Sequence, residues 1–88
     1  LEEIVLEWVC LDYERLPAIL DNVSADLGRP VTGREVWGTL LVHCKRGLVK
    51  AYLYREDTKR FTPLLHPAAH DPQEVWWYIT ETGKRALV

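Results

Sequence analysis

Apolar residues recur at intervals of three and four up to about residue 46 and at intervals of two in two later stretches. The first part of the chain is therefore expected to be helical and the second to carry strands. Leu1, Ile4, Val5, Trp8 and Leu11 form the stripe of a first helix over about 1–11. Leu6, Val9 and Cys10 fall partly outside that stripe, leaving more than half the circumference apolar. The excess calls for a cover, either the C-terminal helix or a second copy of the chain docked on the first helix. Asp12 reads as the N-cap of a second helix over about 13–27, with Glu14 in its first turn and Pro17 near its start. Leu16, Ile19, Leu20, Val23 and Leu27 make its apolar stripe, and Gly28 and Pro30 end it. Arg29 to Val31 is a short extended link that can add a small strand.

Thr32 and Glu35 have the spacing of a capping box opening a third helix over about 33–46. At 100° per residue, Val36, Trp37, Leu40 and Cys44 centre its buried face, with Leu41 and His43 at the edges. Arg34, Glu35, Gly38, Thr39, Val42, Lys45 and Arg46 lie opposite. Gly47 ends this helix, and a strand rich in β-formers follows over about 48–54. Val49, Ala51 and Leu53 share one of its faces, and Lys50, Tyr52 and Tyr54 the other. Residues 55–74 read as a long polar link with three prolines, Pro63, Pro67 and Pro72. A second strand covers about 75–79, with Trp77 and Ile79 facing one way and Trp76 and Tyr78 the other. Thr80 caps a last helix over about 81–87.

With 88 residues the chain is expected to be one domain, 1–88. Its 48% apolar and 27% charged residues exclude a disordered chain, and no apolar run nears the roughly 20 residues of a membrane span. It starts at Leu1 and has no methionine, so the native start is expected to lie further upstream. The net charge of −2 argues against a polyanionic partner until it is resolved along the chain. Residues 1–28 carry seven anions and one cation, residues 29–60 eight cations and three anions, and residues 61–88 are net −1. The middle third is thus a basic segment in an acidic chain, the asymmetry of a polyanion-binding region.

The element order, three helices and a hairpin followed by a short helix, resembles the winged helix-turn-helix fold. Lys45-Arg-Gly-Leu-Val-Lys50 resembles the passage from recognition helix into the first wing strand. Trp77-Tyr-Ile-Thr-Glu-Thr-Gly-Lys-Arg-Ala-Leu87 resembles the aromatic-x-Leu-Thr-x-x-Gly-Arg stretch that leaves the wing in bacterial transcriptional regulators of the MarR and PadR type. The resemblance covers essentially the whole chain and departs at the long, proline-containing hairpin connection. It implies an α+β fold, a three-helix winged helix-turn-helix with an antiparallel β-hairpin wing, in a cytoplasmic DNA-binding protein. The third helix would then enter the major groove of double-stranded DNA.

On that reading Arg34 is the candidate for reading guanine, and Thr39 and Val42 for base edges or a thymine methyl. Thr32 stands at the helix start. Gly38 would permit close backbone approach, either to the duplex or to the second helix. Lys45, Arg46, Lys50, Arg55, Lys59 and Arg60 would contact phosphates. Two rival readings remain: a winged helix that binds another protein, and a domain that takes single strands on Tyr52, Tyr54 and Trp76. His66 and His70, four apart but separated by Pro67, do not make a zinc-binding helix, and Cys10 and Cys44 read as buried free thiols. No cofactor is expected, and no nucleophile–base pair, phosphate loop or carboxylate pair points to an enzyme.

Overall fold

The computed structural model describes residues 1–87. The elements in order are helix α1 (Glu2–Trp8), strand β1 (Glu14–Arg15), helices α2 (Leu16–Leu27) and α3 (Gly33–Lys45), strands β2 (Val49–Arg55), β3 (Arg60–Leu64) and β4 (Val75–Ile79), and helix α4 (Glu81–Ala86). A 3-10 turn over Pro67–Ala69 lies between β3 and β4. The chain is α+β, with a four-stranded sheet in the order β1-β4-β2-β3 and every neighbouring pair antiparallel. No helix among the described residues is long and apolar enough to cross a membrane.

Helix α1 stops at Trp8, three residues short of the expected end. Val9 turns its carbonyl out of the helix to accept the amide of Ile79 at 3.0 Å. The last turn tightens as it ends, with the Val9 amide on the Leu6 carbonyl and the Cys10 amide on the Glu7 carbonyl, each at 3.3 Å. Leu6 and Val9, which lay outside the expected stripe, are buried in this chain's own core. The apolar excess that pointed to a second copy on the first helix is therefore satisfied internally.

The second helix begins at Leu16 with Arg15 as N-cap, not at residue 13 with Asp12 as cap. Pro17 sets this boundary. A start at residue 13 would put its ring and its missing N–H in the helix interior, whereas the first turn has amides without partners to spare. The residues released, Glu14 and Arg15, pair with Trp77 and Trp76 as β1. The small extra strand is thus here and not at Arg29–Val31. That link is instead held by Ser24 Oγ, which accepts the Val31 amide at 3.2 Å. Gly28, at φ 66°, closes α2 in the left-handed conformation that glycine adopts without a Cβ penalty.

The expected strands over 48–54 and 75–79 do pair, from Val49 opposite Ile79 to Leu53 opposite Val75. The supposed link over 55–74 is more structured than expected. It turns tightly after Arg55 and returns as β3, with Ala51 opposite Leu64 and Arg55 opposite Arg60. Pro63 is compatible because β3 is an edge strand, where no ladder amide is needed on the open side. The chain then passes through the 3-10 turn, burying Pro67, before entering β4.

The core joins Val5, Leu6 and Val9 of the first helix region to Leu16, Ile19 and Val23 of α2 and to Val36 and Leu40 of α3. These pack on the inner face of the sheet, chiefly Val49, Ala51, Val75, Trp77 and Ile79. Trp37 meets Trp77 edge-on at 5.5 Å between ring centroids.

Candidate nucleic-acid interface

Helix α3 starts on the expected capping box. Thr32 Oγ1 accepts the Glu35 amide and Glu35 Oε2 accepts the Thr32 amide, each at 3.1 Å. Both side chains are committed to the cap, so Thr32 is an anchor here and Glu35 does not lie free along the helix. The buried face is centred on Val36, Leu40 and His43, rotated from the expected centre. His43 is buried and its Nε2 is 2.8 Å from the Glu2 carbonyl oxygen, tying α3 to the start of α1. Trp37, Leu41 and Cys44 are half-buried on the flank.

That rotation defines the outward stripe. Arg34, Gly38, Val42 and Lys45 are exposed along one side of α3, and Arg46 follows at its end. Thr39 is turned away from the centre of this stripe, and its hydroxyl donates to the Glu35 carbonyl at 2.9 Å. A Cβ at Gly38 would meet nothing within 4 Å, so close packing against α2 is not the reason for this glycine. Arg46 lies 4.0 Å from Glu2, an exposed pair of little energetic weight.

Of the remaining basic residues, Arg55, Lys59 and Arg60 are brought together at the exposed tip of the β2–β3 hairpin. Arg55 donates two hydrogen bonds to Asp57, at 3.3 and 3.2 Å, and this holds the Asp57 carboxyl below its ordinary range. Lys59 has φ 54°, a left-handed conformation that costs a side-chain-bearing residue about 1 kcal/mol. Lys50 does not join either group. It stands on the sheet face turned away from the helices, beside Tyr52. The seven residues of β2 separate the α3 end from the hairpin tip by roughly 20 Å at 3.3 Å per residue.

Two features were not legible in the basic pattern. Residues 65–68 run beside α3 and, with Leu41, Val42, Cys44 and Lys45, enclose a shallow groove of about 510 Å³. Leu65 projects there, 85% exposed. Burial raises the Cys44 thiol above its ordinary pKa, partly offset by a hydrogen bond involving the backbone of Ala51. Cys10 and Cys44 are both free and half-buried. His66 and His70 flank the 3-10 turn, and no cluster of three or more metal-ligand side chains occurs among the described residues.

The second feature is the outer sheet face, where Tyr52, Tyr54, Phe61, Trp76 and Tyr78 gather. Tyr13 lies over them, stacked on Phe61 at 3.8 Å and on Tyr78 at 4.9 Å. Phe61 lies within β3 and Tyr13 directly precedes β1, two elements that periodicity along the chain does not show. Comparison with protein-family models, with curated proteins and with solved structures gave no match.

Proposed function

We propose that the chain is a sequence-specific DNA-binding winged helix, of the kind found in bacterial transcriptional regulators, acting in the cytoplasm on double-stranded DNA. Helix α3 is the recognition helix and the β2–β3 hairpin is the wing. The observation that carries the reading is the exposed stripe Arg34, Gly38, Val42 and Lys45, with Glu35 withdrawn into the cap. A guanidinium at the N-terminal end of such a helix can pair bidentately with guanine, and a valine can meet a thymine methyl. Gly38 leaves the helix backbone bare where the groove floor approaches. Lys45 and Arg46 suit phosphates on the near strand.

The wing adds a second basic site about 20 Å away, farther than the roughly 12 Å width of the major groove. Arg55, Lys59 and Arg60 would therefore meet the backbone beyond the groove that α3 occupies. The acidic first 28 residues limit non-specific attraction, and they meet the two sites at one exposed pair, Glu2 beside Arg46.

Selection from random duplexes, read by mobility shift, tests the proposal. An enriched site is expected, with a log–log salt slope of about −4 to −5 per chain for four to six phosphates. Arg34→Ala should relax specificity at one position, at a cost of about 1–3 kcal/mol, whereas Arg60→Ala should weaken binding to all sequences alike. Failure to bind even bulk duplex at low salt would overturn it.

The groove beside α3 favours a second reading, a winged helix that binds another protein. Leu65 and Val42 are large apolar side chains exposed on the same side of the molecule. Substituting Leu65 by serine separates the two. A protein-binding module would lose its partner, and a DNA-binding one would keep its duplex affinity.

A further inference from the structure

The outer face of the sheet is divided by Tyr13. On one side its ring closes over Tyr52 and Tyr78. On the other, Tyr54, Phe61 and Trp76 wall an open pocket of about 780 Å³, with Arg15, Glu56 and Glu74 also in its lining. This volume lies within the range of small-molecule sites. The three rings are tilted at 54–74° to one another with centroids 5.1–6.4 Å apart, so they form a corner and not a closed stack.

The Trp76 ring already carries a cation, with the Arg15 guanidinium carbon 4.9 Å from its centroid. Glu56 and Glu74 are exposed, and among the described residues neither they nor Arg15 forms an ion pair. The lining is thus aromatic with two carboxylates against one guanidinium. Aromatic faces attract cations through the ring quadrupole, and the carboxylates add to that attraction for one sign of charge. A single strand of nucleic acid offers the same rings a base to stack on, but it brings phosphates towards Glu56 and Glu74. Like charges in that position disfavour it.

We propose that this pocket binds a small planar aromatic cation, seated against Trp76, Tyr54 and Phe61 and held by the charge of Glu56 and Glu74. The pocket lies away from α3 and shares the hairpin tip through Glu56, but its test contains no duplex, so its outcome is independent of the DNA-binding reading.

The experiment titrates N-methylquinolinium into the ¹⁵N-labelled chain at pH 8 and follows the indole N–H signals. The Trp76 signal should move, with saturation at a Kd on the order of 0.1–1 mM for a ligand of about eleven heavy atoms. The signals of Trp37 and Trp77, both on the helix side, should stay in place. Quinoline, neutral at this pH, should bind at least about fivefold more weakly, and naphthalene-1-sulfonate more weakly still. The E56Q/E74Q double variant changes two exposed side chains and should keep its amide spectrum. It should lose about tenfold in affinity for the cation and none for quinoline. Equal affinity for the cation and quinoline would overturn the proposal, as would a Trp76 signal that does not move. Tighter binding of single-stranded oligothymidylate than of the cation would reassign the face to nucleic acid.

Discussion

Gly83→Ala sets two effects of opposite sign against each other. In a helix interior, alanine is favoured over glycine by about 1 kcal/mol, so propensity alone predicts a more stable protein. Gly83 in α4, however, lies against the backbone of the preceding joint. A Cβ there would collide with the Leu48 carbonyl oxygen and come within 2.6 Å of Ile79 Cγ1. The Leu48 oxygen cannot give way cheaply, because it accepts the Thr80 amide at 2.9 Å and lies 3.1 Å from the Thr80 hydroxyl. Moving α4 outward loosens the Thr80 amide bond, at about 1 kcal/mol, and unpacks Ile79, which is 4% exposed. Overpacking of this kind costs about 1–3 kcal/mol.

Setting the gain in propensity against these losses leaves a net destabilisation of about 2 kcal/mol, or about 8–16 °C in Tm for a domain of this size. Urea denaturation followed by tryptophan fluorescence reads it directly, since Trp77 is fully buried. Gly38→Ala is the matched control. It sits in an exposed helix interior with nothing within 4 Å of its Cβ, and should stabilise by about 0.5–1 kcal/mol. A Gly83→Ala variant as stable as the parent, or more stable, would refute the steric argument.

Glu14→Gln should stabilise the protein at pH 7 and lose that advantage below about pH 4. Burial, and next the charge of Asp12, raise the Glu14 pKa above its ordinary value. The folded state therefore holds this proton to higher pH than the unfolded state, and stability from the group falls as pH rises through the folded value. Paired urea titrations of parent and variant at the two pH values check the sign. Lys59→Gly should raise stability by about 0.5–1 kcal/mol by removing a side chain from the left-handed region, yet reduce the magnitude of the DNA salt slope by about one. Denaturation and mobility shifts on the same preparation separate the two effects.

The helices were legible in the sequence where a local signal fixes them. Thr32 with Glu35 began α3 and Gly28 ended α2, because caps depend on neighbours only a few residues away. The errors arose where a distant partner competed for the backbone. Glu14 and Arg15 left the expected helix to meet β4, and the chain past α1 is tied to the same strand by the Val9 carbonyl on the Ile79 amide. Strand β3 was hidden because Pro63 reads as a breaker until its edge position is known. Among the site residues, the α3 stripe and the hairpin cations follow from periodicity and charge. Lys50 does not, since alternation places it on a strand face without saying which face the helices cover. The aromatic pocket needed β3 and the segment before β4 together, and neither is visible as a local pattern.

The Thr-x-x-Gly passage, Thr80 to Gly83, has a physical reading that stands apart from any resemblance. Thr80 Oγ1 accepts the Gly83 amide at 3.0 Å as the N-cap of α4, and it lies 2.6 Å from the Gly47 carbonyl oxygen, to which it donates. Leu48 joins both sides of this joint, with its amide on the His43 carbonyl of α3 at 2.9 Å and its own carbonyl on Thr80. The base of the hairpin is thereby tied to the end of α3 through backbone groups, and Gly83 lets α4 close against the knot. In the proposed function this fixes the roughly 20 Å between the two basic sites before DNA is met. A fixed spacing means that docking α3 presents the hairpin cations to the neighbouring backbone at high effective concentration. Ordering the wing then costs little at the moment of binding. The motif is thus more informative about how the two sites are held than about which sequence they read.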